Sequence, residues 1–296
     1  LPGVQFLFIG IYNINFNIII MAITAQDVNK LRQMTGAGMM DCKKALMEAD
    51  GDFDKAIEIL RKKGQKVSAS RADRATNEGS VFIKTNSEGN EGIIVGLGCE
   101  TDFVAKNEEF LGLGQEILEA AFTHNPNNIE ELGNLKIGDH TVQEKVIELV
   151  GKIGEKIEIT AYERLNGEAV VPYIHAGSKL GVLVALKGVN GTDVEQVGKD
   201  VAMQIAAMNP IAVDEGDVDA SVIEKEKEIG REQARQEGKP ENILDKIAEG
   251  KVNKFLKENT LLNQAFVKDN SMTIAKYLTS IQNGLSVSNF TRVKIG

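Results

Sequence analysis

The residues able to do chemistry in this chain are scattered, and none falls into an established catalytic spacing. His124, His140 and His175 lack the separation of metal ligands, and each reads as a surface or turn residue. Asp50, Asp52 and Asp54 imitate the opening of a calcium loop. Such a loop needs glycine at its sixth position and glutamate at its twelfth, where this chain has Lys55 and Arg61. Gly96-Leu97-Gly98 begins like a dinucleotide-binding turn, but its third glycine would fall at Thr101. Gly198-Lys199 continues into Asp200 instead of the Ser or Thr of a phosphate loop, and the preceding glycine is missing. The reading therefore assigns no catalytic residue, no cofactor and no metal site. An active site assembled only by tertiary convergence leaves no spacing to read.

Two segments carry chemistry of a different kind, suited to gripping a partner. Thr101-Asp102-Phe103-Val104 follows an apolar strand, at a junction where a rigid sheet can present side chains outward. Phe103 beside Asp102 sets apolar bulk next to a carboxylate, which would make a wedge. The residues alone equally allow Thr101 or Asp102 to cap a helix while Phe103 enters the core. In the second segment, Thr35 to Lys44, glycines precede Met39 and Met40. Neighbouring residues cannot both face one helix interior, so this pair either presents a methionine to a partner or fills a small core from two sides. Methionine suits an adaptable binding surface.

The elements that must position these groups follow from apolar periodicity. Residues 24–64 read as three short helices. Thr24 caps the first, Thr35-Gly36-Ala37-Gly38 breaks it, Asp52 caps the third and Gly64 fits its stop. Residues 65–76 are polar and partly basic, a linker or an exposed helix. Residues 81–83 and 93–97 read as a β-hairpin followed by a helix bearing Phe110, Leu113 and Ile117. Residues 173–175 and 182–186 repeat that pattern, followed by a helix bearing Val197, Val201 and Ile205. Two strand–strand–helix copies indicate an α+β fold with two similar subdomains, residues 77–155 and residues 156–218 with a return at 259–296. Strands at 157–164 and 290–295 are expected to complete the second sheet. Residues 219–258, divided by Gly238-Lys239-Pro240, read as an antiparallel helical hairpin. It either projects from the body or lies flat on it.

Composition excludes several classes. The 296 residues carry 34 Lys+Arg against 43 Asp+Glu, a net charge of −9, which argues against whole-chain nucleic-acid binding. Aromatic residues are 5% and tryptophan is absent, so a base-stacking platform is not expected. The basic residues Arg61, Lys62, Lys63, Lys66, Arg71 and Arg74 read as a solvated segment rather than an RNA site. Cys42 and Cys99 form neither a disulfide framework nor a thiolate metal site and point to a reducing, cytoplasmic compartment. Residues 1–20 are uncharged and mostly apolar, yet Asn13, Asn15 and Asn17 interrupt them and no Lys or Arg precedes them. They are expected to be leader, with the native protein starting at Met21; a membrane anchor is the alternative.

Leu31-Arg32-Gln33-Met34-Thr35-Gly36-Ala37-Gly38-Met39-Met40-Asp41-Cys42-Lys43-Lys44-Ala45-Leu46 resembles the amino-terminal signature of the elongation factor Ts family. Thr101-Asp102-Phe103-Val104-Ala105-Lys106 resembles its second signature, and Gly238-Lys239-Pro240 before a helix ending near Phe255 resembles a third landmark. The resemblance runs in order from about Met21 to Gly296. It implies a guanine-nucleotide exchange factor for elongation factor Tu, with no catalytic site of its own and no cofactor. The amino-terminal module would be similar to the ubiquitin-associated (UBA) fold and would dock on the GTPase domain, with Arg32, Met39 and Met40 at the matched positions. Asp102 and Phe103, completed by Thr101 and Val104, would intrude near the partner's magnesium site. The helical hairpin would be the family's coiled-coil protrusion. Neither direct nucleic-acid contact nor membrane binding is implied, and a one-to-one complex and a dimer of heterodimers both stay open. The sequence ends soon after its last strand, without the helical extension of some members, so nothing is carried over for that part. Gln204 stands where some members have a core histidine, and no role is transferred to it. An adaptor built on a UBA-like module is the rival reading; it accounts for residues 24–64 but not for the paired α+β subdomains.

Overall fold

The computed structural model describes residues 23–296, so the expected leader at residues 1–20 lies outside the described residues. The described residues divide into two compact units, one ending at Lys63 and the other Gly64–Gly296.

In the first unit, α1 (Ala25–Thr35), α2 (Met39–Glu48) and the start of α3 (Phe53–Ser70) enclose a small core of Val28, Leu31, Cys42, Ala45, Leu46, Ala49 and Ala56. Thr24 and Asp27 form a reciprocal capping box, satisfying amide groups that the first turn leaves without helical partners. Gly36 closes α1 in the left-handed region at φ 64°, which glycine enters without a Cβ clash. Gly64 does not stop α3 as expected. The helix continues through it to Ser70, so of the two readings for this stretch residues 65–70 are the exposed helix. Gly64 meets another glycine: a Cβ added at Gly151 would lie 2.7 Å from the Gly64 Cα. The missing side chain thus serves close helix approach and not a left-handed cap.

The second unit opens with β1 (Glu78–Thr85), β2 (Glu91–Cys99), the one-turn helix α4 (Asp102–Ala105) and α5 (Glu108–His124). Next come α6 (Ile129–Asn134), the small hairpin β3 (Lys136–Ile137) and β4 (His140–Thr141), α7 (Val142–Ile153) and β5 (Ile157–Asn166). The repeat begins with β6 (Ala169–Ile174), β7 (Leu180–Lys187) and α8 (Glu195–Met208). It is followed by α9 (Ala220–Gln236), α10 (Glu241–Asn259), β8 (Ala265–Phe266), β9 (Asp269–Thr273), α11 (Ile274–Ile281) and β10 (Ser286–Lys294). The α+β class holds.

Two antiparallel three-stranded sheets result, ordered β1-β2-β5 and β10-β7-β6. The strand at 157–164 was expected in the second sheet. It lies in the first, with β5 pairing along β2 from Glu91↔Asn166 to Cys99↔Ile157, so the first subdomain reaches past residue 156. The alternation of a strand names its faces but not its neighbour, and β5 matches β2 in apolar content. Strand β10 joins the second sheet as expected.

Alternation layers the body. Ile93, Val95, Leu97 and Cys99 of β2 pack with α5 and α7, while Val182, Val184 and Leu186 of β7 pack with α8 and α11. Val81, Ile94, Leu165, Val170, Leu183 and Val293 fill the space between the sheets. Small residues permit that approach: a Cβ at Gly181 would lie 2.6 Å from Val81, and one at Gly92 would lie 2.8 Å from Leu183. The helices use the same device. Gly114 of α5 sits over the Phe82 ring, and Gly198 of α8 sits over Val171, which gives the failed phosphate-loop glycine a packing role.

Helices α9 and α10 run antiparallel, pairing Arg231 with Asp245 at 2.6 Å and Arg235 with Glu241 at 2.9 Å. Their seam is buried Gly230, Ala234, Leu244, Ala248, Val252 and Leu256. Gln204 is fully buried and ties α8 to the β8 hairpin. Its amide nitrogen donates to Gln264 and to the Ala265 carbonyl, both at 3.1 Å, and its amide oxygen accepts from the Val267 N–H.

Candidate functional site

Strand β2 ends at Cys99, whose thiol donates to the Thr101 carbonyl at 3.2 Å. Burial, reinforced by Glu155, pushes the Cys99 thiol up to about 12, so it is protonated and unreactive at neutral pH. Glu100 then accepts the Lys156 N–H at 2.7 Å and the Arg71 guanidinium at 2.8 Å. The Lys156 N–H first, and Arg71 after it, hold this carboxyl below the ordinary range against the opposing effect of burial.

Thr101 is fastened twice. Its N–H donates to Glu155 at 3.1 Å and its hydroxyl to the same carboxylate at 2.9 Å. The hydroxyl oxygen also accepts the Val104 N–H at 3.4 Å, capping α4. Val104 turns inward, 6% exposed, into the core against β2. Successive helical residues diverge by about 100°, and Phe103 accordingly turns out to 80% exposure. Between the two readings left open by the sequence, Thr101 caps the helix and Phe103 stays out of the core. Asp102, also exposed, accepts from Lys106 at 2.8 Å. That ammonium group keeps its carboxyl below the ordinary range. Asn107 caps α5 through the Glu109 and Phe110 N–H groups, and fully buried Phe110 anchors that helix. A one-turn helix held at both ends thus carries an aromatic side chain and a carboxylate into solvent.

The second segment also faces solvent. Met39 is 56% exposed and Met40 63%, at the start of α2, and Arg32 is exposed in the last turn of α1. Neither methionine fills the core. Of the expected partner-binding residues, Asp102, Phe103, Arg32, Met39 and Met40 are therefore exposed, whereas Thr101 is half-buried and Val104 is buried in the core, so Val104 is not part of an exposed contact surface.

Several contributors escaped the sequence. Glu155 lies 54 positions from Thr101, and no local pattern connects them. Lys106 was legible as a base four residues after an acid on a helix. Met34 and Met47 are also exposed, and Met47 lies seven residues, about two helical turns, after Met40 on the same side of α2. Among the described residues, no group of three or more His, Cys, Asp or Glu side chains is placed to hold a metal. His175 shares a 2.9 Å hydrogen bond with the Tyr173 hydroxyl. Among those residues, too, no helix is long and apolar enough to cross a membrane.

Comparison with known proteins bears on this arrangement. The family model described as elongation factor TS matches residues 100–296. A protein of Amoebophilus asiaticus named elongation factor Ts is 62% identical over 276 residues, covering 93% of this chain and 100% of its own length. A Cytophaga hutchinsonii protein of that name is 57% identical, covering 92% of this chain and 99% of its own. A Clostridium perfringens protein of that name is 46% identical, covering 93% of each.

Proposed function

The chain belongs to the elongation factor Ts family of translation factors, and from that premise we propose that it binds elongation factor Tu and speeds its release of GDP. The observation that carries the reading is Phe103, 80% exposed on a turn whose preceding residue is tied to Glu155. An exposed aromatic side chain on a stiff mount is what an intruding group requires.

A GTPase holds its nucleotide through backbone donors around the phosphates and a magnesium ion bridging phosphate oxygens. A protein without catalytic groups loosens that hold by binding better to the arrangement that grips nucleotide badly. The coupling is reciprocal: GDP weakens the factor by the same ratio as the factor weakens GDP. A thousandfold effect needs about 4 kcal/mol of differential binding. Full burial of a phenylalanine supplies about 1.5–3 kcal/mol, so Phe103 carries much of this and other contacts carry the rest. In this reading Asp102 brings a carboxylate toward the magnesium site, while Thr101 and Val104 fix where the pair points. Arg32, Met39 and Met40 on α1 and α2 supply docking on the GTPase domain as a UBA-like module, and α9 with α10 forms the coiled-coil protrusion. GTP rebinds because it is in excess and not because the factor selects it. The cytoplasm, where that GTPase works, is the proposed location.

The test is the dissociation of fluorescent GDP from elongation factor Tu, followed by stopped flow with and without this chain. Acceleration that grows with the concentration of the chain is expected. An unchanged rate at saturating chain would overturn the exchange reading.

A further inference from the structure

The cysteines are the first groups to consider for redox chemistry, and both are buried free thiols. With its thiol pushed up to about 12, Cys99 supplies almost no thiolate. Accessible sulfur lies elsewhere. Of the five exposed methionines among the described residues, four fall between Met34 and Met47 and each is more than half exposed. In the larger unit Met203 and Met272 are partly buried, and Met208 is exposed. Thioether sulfur is thus concentrated in solvent on the helices to which docking is assigned, α1 and α2.

We propose that Met34, Met39, Met40 and Met47 form an oxidant-sensitive switch, in which a hydroperoxide converts their thioethers to sulfoxides and the modified helices lose their grip on the GTPase. The inference rests on the docking role given above to this module. In each event the sulfur lone pair attacks a peroxide oxygen. An S–O bond forms, the O–O bond breaks, and the displaced oxygen takes a proton and leaves as water or an alcohol. The sulfur is oxidised by two electrons and the peroxide is reduced by two. Sulfoxide reductases reverse the change. A flexible apolar group becomes polar, so surface suited to burial against a partner acquires a group that must be desolvated. Loss of even one buried thioether corresponds to weakening of about tenfold or more.

The experiment treats the full chain with hydrogen peroxide, both free and in its complex with elongation factor Tu. Oxidation is mapped by peptide mass spectrometry, and each sample is assayed for stimulated GDP release. In the free chain the four methionines are expected to oxidise ahead of Met203 and Met272, and in the complex they are expected to be shielded. Treated chain, its fold verified by circular dichroism, should stimulate release about tenfold less and recover after incubation with methionine sulfoxide reductase. The variant M34L/M39L/M40L/M47L, judged against its own untreated rate, should resist the treatment. Equal loss in that variant would overturn the switch while leaving docking in place. Unshielded methionines in a complex that does form would overturn the docking role, and the switch with it.

Discussion

Strands β2 and β7 occupy the same place in the two copies of the repeat, and each runs into a turn containing Thr-Asp before its helix: Thr101-Asp102 after β2 and Thr192-Asp193 after β7. After β7 the apolar side chain of the junction turns inward. Thr192 bonds Gln282, whose amide donates to the Gly188 carbonyl at 2.7 Å. Asp193 accepts the Glu195 N–H at 3.1 Å, and Val194 is 7% exposed in the second core. After β2 the connection coils into α4, and that turn rotates Phe103 into solvent while Val104 takes the core position. One copy closes its junction and the other opens it. The repeat therefore supplies a rigid frame twice, and a connection of nearly the same length, coiled into a helical turn in one copy, becomes a presenting joint where the other copy has a packing one.

This contrast can be broken most directly at the exposed tip. Replacing both Asp102 and Phe103 with alanine should reduce stimulated GDP release about 10- to 100-fold, the range set by losing one buried phenylalanine. The thermal midpoint should barely move, because Phe103 is largely exposed in the free chain. Equal stimulation by this variant would erase the functional difference between the junctions. At the closed junction the expectation reverses. Val194→Ala should cost roughly 1–3 kcal/mol in urea unfolding by opening a cavity, with stimulation by the folded protein unaffected.

Thr101→Val tests the mount itself. It removes the α4 cap and leaves the Glu155 carboxylate short of a donor, at about 1 kcal/mol in stability. Stimulation should fall severalfold although Phe103 is still present; full stimulation would mean that the mount is irrelevant. The smallest effect concerns protonation. Lys106 lowers the Asp102 pKa, so the pair is present at neutral pH and lost as pH falls through the depressed value, below the ordinary Asp value of about 3.9. NMR titration should show Asp102 titrating at lower pH in the wild type than in Lys106→Met.

Asp200, in the second copy, sharpens the same contrast. Burial pushes its carboxyl up, but hydrogen bonds from Lys268, Tyr277 and Gln196 outweigh that and hold it low. The stability difference from Asp200→Asn should therefore be full at neutral pH and close in acid, below the same limit of about 3.9.

How much of this was legible follows from what each residue's role depends on. The hairpins and helices could be read because alternation and helical periodicity are local, as in Ile93, Val95 and Leu97 or Phe110, Leu113 and Ile117. The sheet that takes β5 could not, because strand pairing is tertiary and alternation along a strand does not name its neighbour. Gly64 misled because glycine at a helix stop and glycine at a helix crossing are the same letter. Met39 and Met40 were flagged as a pair that cannot share one interior, but whether they packed or protruded depended on Leu31, Cys42 and Leu46 filling the core first. Phe103 stayed undecided because four helical residues carry too little periodicity to orient one side chain.

The bond from Thr101 to Glu155 has a mechanical consequence. Glu155 lies just before β5, so the projecting turn is clamped both to the strand it leaves and to the outer strand alongside. A force applied to the aromatic tip passes into a hydrogen-bonded sheet instead of folding a loop backward. Under the proposed function, a tip braced in this way keeps its shape on contact, and the partner is the side that yields.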